Sequence, residues 1–279
     1  MNPLIKSLGV MQGRLLPKYK GRYQAHPLGY WQEEFVIAAG IGFEYIEFIL
    51  DHNDAELNPL MSVEGVKEII SQVSKTNVGV RSVCADYFME APLHHLDTAI
   101  ADTSMEVLKK LMHNSKEIGI RDIVIPCVDQ SSLTDEAAQQ RFVKRLLPMQ
   151  DLAEKLSVNL SLETDLDPDA FGSLLSEFTS PVITVNYDTG NSASLGYDPI
   201  KEFESYGTRI SDIHIKDRKL KRGSVLLGTG DADFNAFFEA LATIHYDGQF
   251  IMQAFRDEEG VAITKQQYSW LQTNFNRSI

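Results

Sequence analysis

Glu163, Asp188, His214 and Gln253 each stand at or near the end of a short run in which every second residue is polar. In Ser157–Glu163 the alternation sets Ser157, Asn159, Ser161 and Glu163 against Val158, Leu160 and Leu162. Val182–Asp188 repeats the split, with Thr184, Asn186 and Asp188 against Ile183, Val185 and Tyr187. Ile210–Lys216 sets Asp212, His214 and Lys216 against Ile213 and Ile215, and Gln249–Ala254 sets Gln249 and Gln253 against Phe250 and Met252. A period of two is the mark of a strand, so each run sends its polar members to one face. One polar residue at a strand end is usually just hydrogen-bonded. Two carboxylates, an imidazole and an amide at matching heights on consecutive strands are a donor set for a divalent cation.

Side chains can converge in this way only if the strands are neighbours. Short β-rich runs occur at Ser7–Gln12, Tyr45–Leu50, Val78–Cys84, Asp122–Cys127, Ser157–Glu163, Val182–Asp188, Ile210–Lys216 and Gln249–Ala254. Amphipathic stretches lie between them: Glu64–Lys75, Met105–Ile118, Asp135–Leu156, Ala170–Glu177, Pro199–Ser205, Asn235–Ile244 and Ile263–Asn274. Gly119, Gly207 and Gly248 fall where a helix must stop before the next strand. Eight units of about 35 residues predict an α/β fold, a single (β/α)8 TIM barrel domain over residues 1–279. A doubly wound open sheet would call for a Gly-x-Gly-x-x-Gly turn after the first strand, and Gly9–Gly13 lacks that spacing. Catalytic groups of such barrels sit at the C-terminal ends of the strands, where the polar runs end.

The formal net charge of −13 repels phosphate backbones and anionic lipid surfaces, so neither nucleic acid nor a membrane is an expected partner. No run approaches a membrane span, and Met1–Val10 has no apolar signal core, so a cytoplasmic protein is expected. Cys84 and Cys127 cannot make a disulfide framework and read as free buried thiols. Self-association is left open.

Leu162–Glu163–Thr164, Asn186–Tyr187–Asp188–Thr189–Gly190–Asn191, His214–Ile215–Lys216–Asp217 and Leu227–Gly228–Thr229–Gly230–Asp231 resemble the signatures of the xylose isomerase-like barrels. That superfamily includes sugar-phosphate isomerases and epimerases, tagatose-type ketose 3-epimerases, hydroxypyruvate isomerase and endonuclease IV. The resemblance implies one Mn, Mg, Co or Zn ion, held in the sugar enzymes by a Glu, an Asp, a His and a second Glu. These carry onto Glu163, Asp188 and His214, but the fourth position is Gln253. In the epimerases both glutamates also move protons on opposite faces of an enediolate. An amide can lend its oxygen to a metal but cannot carry that proton. With only two anionic ligands the ion is expected to bind more weakly and to polarise a carbonyl more strongly.

Further candidates surround this set. Asp86 continues the face of Ser82 and Cys84 and precedes Tyr87 and Phe88, an aromatic pair suited to a sugar's apolar face. Asp86 and Lys216 join Glu163 as catalytic candidates. Glu47 shares parity with Tyr45 and Ile49 and is expected at the barrel mouth. Lys216, Arg218, Lys219, Lys221 and Arg222 stand against Asp217 alone, a basic loop that would attract an anion, and Gly228–Thr229–Gly230 offers backbone donors to it. Arg14 is a second anion contact, so Arg14, Glu47, Asn191, Asp217 and Arg218 are the expected substrate contacts.

The leading expectation is a metal-dependent isomerase or epimerase of a sugar or sugar phosphate, acting on a ketose through an enediolate. A non-catalytic sugar-binding barrel is an alternative, motivated by Gln253. An apurinic endonuclease is opposed by the charge and by Asn191, where that enzyme's site needs a histidine.

Overall fold

The computed structural model describes residues 7–275; the rest, including the first six residues of the Met1–Val10 stretch, lie outside the described residues. Eight parallel strands close into a barrel: Leu8–Met11, Tyr45–Ile49, Gly79–Cys84, Asp122–Cys127, Asn159–Thr164, Ile183–Asp188, Ile210–Ile215 and Gln249–Met252. They follow one another around the wall in chain order, and the last pairs with the first through Leu8–Phe250, Gly9–Ile251 and Val10–Met252. All eight expected strands form, with some ends trimmed by one or two residues and the fifth strand running one residue further, to Thr164.

Alternation along each strand makes two cores. Outward residues such as Phe48, Val83, Ile123, Leu160, Leu162, Val185, Ile213 and Phe250 pack under the helices, while Met11, Tyr45, Ile49, Cys84, Val124 and Ile251 form a smaller apolar cluster of inward residues. The lumen floor is polar. Asp122 accepts from Asn159 Nδ2 (2.9 Å), Ser211 Oγ (2.6 Å) and Gln249 Nε2 (2.9 Å). Val185 pairs with Ile210 but Asn186 pairs with Asp212, so Ser211 is an extra, bulged residue. The bulge lets Ser211 serve the floor while Asp212 and His214 keep their inward aim.

Helix starts follow from sequence. Asp135, Asp167, Asp198 and Asp233 each accept a backbone N–H of the first turn, and Pro168 and Pro199 take the position where no donor is needed. Gly119 ends its helix at φ 91°, as expected. Gly207 caps a helix at right-handed φ −54°, and Gly248 follows no helix. A Cβ at Gly248 would lie 2.3 Å from Ser211 O, so close backbone approach explains that glycine. The expected helix over Asp135–Leu156 is broken around Pro148 into Glu136–Leu146, a tight turn and Gln150–Leu156. Helix Gln32–Ile41 went unpredicted because its apolar residues are not confined to one face, Val36 being exposed. The short helices Tyr87–Glu90 and Thr189–Leu195 follow strand ends directly and were also unpredicted.

Both cysteines are buried and unbridged, as expected. No helix among the described residues is long and apolar enough to cross a membrane.

Candidate active site

His214 is fully buried in the lumen and meets carboxylates on both ring nitrogens. Its Nε2 lies 2.9 Å from Glu47 Oε2; its Nδ1 lies 3.8 Å from Glu163 Oε2 and 4.0 Å from Asp188 Oδ2. Burial alone would push the imidazole down, but Glu47, with Glu163 and Asp212, overrides it and holds the ring at about 10. Glu47 was expected at the mouth as a substrate contact. It is 0% exposed instead and engaged by His214, because the second strand carries it inward below its C-terminal end. A carboxylate on one imidazole nitrogen fixes the ring and turns the other nitrogen toward the site, an arrangement common behind metal-ligating histidines.

Asp188 divides its two oxygens. Oδ1 caps helix Thr189–Leu195 by accepting from Gly190 N (2.8 Å) and Asn191 N (2.9 Å). Oδ2 is left for a cation, and Lys216 Nζ stands 2.5 Å from it while donating to Gln253 Oε1 at 2.7 Å. The lysine thus ties the sixth strand to the residue that departs from the family pattern.

Glu163 is 6% exposed and accepts from Asn186 Nδ2 (2.9 Å) and Asn191 Nδ2 (2.5 Å). Burial first, then the nearby Asp188 charge, push its carboxyl up to about 7, against the pull of His214 and Lys216. Arg218 Nη1 donates to Asn191 Oδ1 at 2.8 Å, so Arg218 and Asn191 form a strut that fixes Glu163. Both were expected on substrate; here Asn191 donates to Glu163, and Arg218 donates to Asn191 Oδ1 and to Arg222 O. Asn186 was not singled out from sequence, although its parity with Asp188 carried the signal.

The donor atoms fit one divalent ion. Glu163, Asp188 and His214 offer ligand atoms that all lie within 4.8 Å of one another, a spacing that could hold a metal ion, and Asp188 Oδ2 has no partner besides the Lys216 ammonium. Glu47, Asp212 and His214 meet the same criterion deeper in the lumen. Burial, with Glu47 and Asp122 as like charges, raises the Asp212 carboxyl well above its usual range.

On the other side of the rim, Asp86 accepts from Cys84 Sγ (3.2 Å) and Gln24 Nε2 (3.2 Å), and burial raises its carboxyl. Tyr87 and Phe88 do not line the mouth; they turn into the outer core as the short helix begins. Arg14 follows the first strand and donates from Nε to Ala254 O at 3.0 Å.

Asp217, expected on substrate, is held by the chain's own backbone. It is 1% exposed, and its carboxylate accepts from Gly228 N (2.9 Å), Gly230 N (2.7 Å) and Ala232 N (3.1 Å). The backbone donors expected to cradle a substrate anion are therefore filled by the protein's own carboxylate, and a Cβ at Gly230 would lie 1.8 Å from Asp217 Oδ1. Asp217→Ala removes one charged acceptor from three N–H groups, an expected loss of about 3 kcal/mol, or roughly 6 to 12 °C in Tm. Thermal unfolding measures it, and an unchanged Tm would return Asp217 to the candidate substrate contacts.

A sequence profile described as "Xylose isomerase-like TIM barrel" matches residues 35–274. The chain belongs to that family. The L-ribulose-5-phosphate 3-epimerase UlaE of Salmonella paratyphi A is 26% identical over 238 residues, spanning 81% of this chain and 83% of that protein. Among solved structures, an L-ribulose 3-epimerase superposes with a TM-score of 0.76 at 18% identity, covering 98% of this chain and 96% of its own. The IolI protein, solved with a bound zinc atom, superposes at 0.74 with 16% identity, covering 96% and 99%. These likenesses agree with the barrel expected from the strand and helix pattern.

Proposed function

We propose that this barrel is a sugar isomerase of the 3-epimerase type, acting on a ketose or ketose phosphate with one divalent ion. The observation that carries the reading is the convergence of Glu163, Asp188 and His214 Nδ1 within 4.8 Å, at the strand ends where barrel enzymes keep their chemistry. The kinship to UlaE supports the sugar-phosphate side of it. Glu163, Asp188 and His214 would hold the ion, with Gln253 Oε1 as a neutral fourth donor once Lys216 moves aside. A bound divalent ion supplies Lewis acidity toward the ketose carbonyl and its neighbouring hydroxyl.

The proton chemistry falls to the chain's own residues. Glu163, held by Asn186 and Asn191, takes the proton from the carbon beside the carbonyl. That C–H bond breaks, its electron pair enters an enediolate, and the proton becomes a carboxyl proton of Glu163. Lys216 Nζ returns a proton to the opposite face: an N–H bond breaks, a C–H bond forms, and both groups re-equilibrate with water. Lys216 Nζ, 2.7 Å from Gln253 Oε1, is the proton carrier beside that amide and takes the step an amide cannot perform. Asp86, across the rim, is the other candidate for that step. We place the protein in the cytoplasm as a single-domain enzyme of small molecules, without nucleic acid.

Deuterium wash-in at C3 of L-ribulose 5-phosphate and of unphosphorylated ketoses, followed by NMR, tests the reading. Exchange is expected with Mn, Co, Mg or Zn present, to fall at least about 100-fold in EDTA, and to return when metal is restored. Absence of exchange on all these ketoses in metal-loaded protein would instead favour the sugar-binding barrel that Gln253 suggests.

A further inference from the structure

Glu202 is a buried carboxylate with no cation beside it. It is 3% exposed, and no ion pair reaches it among the described residues. Three hydroxyls surround it instead. Oε2 accepts from Tyr187 OH at 2.9 Å and from Ser192 Oγ at 2.5 Å, and Oε1 accepts from Tyr206 OH at 2.9 Å. Burial raises the carboxyl, against the pull of these three donors. An apolar side chain would fill the same place without a desolvation penalty, so the contribution of the carboxylate lies in what it holds together.

The hydroxyls come from three elements. Tyr187 is the penultimate residue of the sixth strand, Ser192 belongs to the short helix Thr189–Leu195, and Tyr206 lies one turn beyond Glu202 on helix Pro199–Tyr206. The two tyrosines are fixed points. Phe203 and Phe237 clamp the Tyr187 ring at centroid distances of 5.0 and 5.8 Å, and Phe171 meets Tyr206 at 4.9 Å. These rings hold Glu202, and Glu202 holds Ser192.

Ser192 follows Asn191, whose Nδ2 donates to Glu163 Oε1 at 2.5 Å. A helix of seven residues is too short to keep its place unaided. The Asp188 cap fixes its start, and Thr189 Oγ1 ties it to Lys216 O at 2.6 Å, on the side of the seventh strand. The tie from its other side, toward the outer helices, is Ser192 to Glu202. Glu163, Asn191, Ser192 and Glu202 also border one small cavity of about 20 Å³, so the outer carboxylate and the inner one share a common space.

We propose that Glu202 is a positioning residue for Glu163: through Ser192 it sets the short helix, and the helix sets Asn191 Nδ2 against Glu163 Oε1. Its part is indirect, since its own oxygens are filled by three hydroxyls. That the residue so positioned is a general base rests on the epimerase reading; the placement of Asn191 does not.

Glu202→Leu and Glu202→Gln separate filling the space from holding the helix. Leucine makes no hydrogen bond, whereas the glutamine oxygen can accept from Tyr187 and Ser192 while Tyr206 OH turns to accept from its NH2. The side-chain amide resonances of Asn191 in heteronuclear NMR, assigned by their loss in Asn191→Ala, read the bond to Glu163 in metal-free protein without turnover. They are expected at their wild-type, hydrogen-bonded position in Glu202→Gln and at a free-amide position in Glu202→Leu and Ser192→Ala. In the loaded enzyme, Ser192→Ala, Glu202→Leu and Asn191→Ala should each lower C3 exchange about tenfold with KM moved less than about twofold, and combining either of the first two with Asn191→Ala should lower it no further. A role confined to folding would instead multiply the losses. Asn191 resonances that stay in place in Ser192→Ala overturn the proposal, even if Glu202→Leu fails to fold. Displaced Asn191 resonances with no C3 exchange on any ketose would uphold the positioning role and sink only the epimerase reading.

Discussion

Glu163→Gln is expected to lower deuterium exchange at the substrate C3 by about 10²- to 10⁴-fold, the range for losing a positioned general base. The substitution keeps shape and removes only the ability to take a proton. Its accommodation follows from the neighbours. Asn191 cannot turn its amide, because Arg218 Nη1 already occupies Asn191 Oδ1, so the new amide must offer its oxygen to Asn191 Nδ2. Its NH2 then faces Asn186, whose amide flip lets the buried Oδ1 accept both from it and from the protonated His214 Nδ1, which lies 3.1 Å from the Asn186 amide. The fold is therefore expected to stay within a few degrees of wild type in Tm, and divalent-ion binding to survive with reduced affinity, since Asp188 and His214 remain. NMR of recovered substrate, with a thermal melt and a metal titration, measures all three. Exchange retained within tenfold would move the base elsewhere, and Asp86→Asn is then the variant to compare.

The period-two alternation of four strands was enough to place Glu163, Asp188, His214 and Gln253 on one face, because backbone geometry alone decides which way a strand residue points. It could not say which neighbour would engage each polar atom. Glu47 has the same inward parity as a mouth residue, yet its partner His214 lies five strands on in the chain, and only barrel closure brings the two within 2.9 Å. Asp217 illustrates the same limit: a carboxylate beside a Gly-x-Gly turn resembles a ligand site until three backbone N–H groups are found already bound to it. Helix Thr189–Leu195 was hidden for another reason. Seven residues are too few for a readable period, and its start is marked only by the Asp188 cap, a residue already claimed as a metal ligand. Asn191 was noticed through its motif, but its hold on Glu163 depends on that hidden helix.

Gln253→Glu should separate metal affinity from turnover. The added carboxylate would face the site beside Asp188, and a third anionic ligand is expected to tighten divalent-ion binding by about tenfold or more. Turnover is expected to fall for two reasons that reinforce each other. A more fully neutralised ion polarises the ketose carbonyl less. Lys216 Nζ, now 2.7 Å from a neutral amide oxygen and 2.5 Å from Asp188 Oδ2, would become pinned between two carboxylates and less free to reach the substrate. Competition against a chelator measures the first effect, and C3 exchange on the native ketose the second. Lys216→Met tells the two causes of slowing apart, since it removes the proton carrier while leaving the ligand charge unchanged. If Gln253→Glu instead speeds epimerisation over a nearly inactive parent across a broad panel of ketoses, Lys216 is not the second proton carrier, and the natural chain is a sugar-binding barrel that lacks its second base.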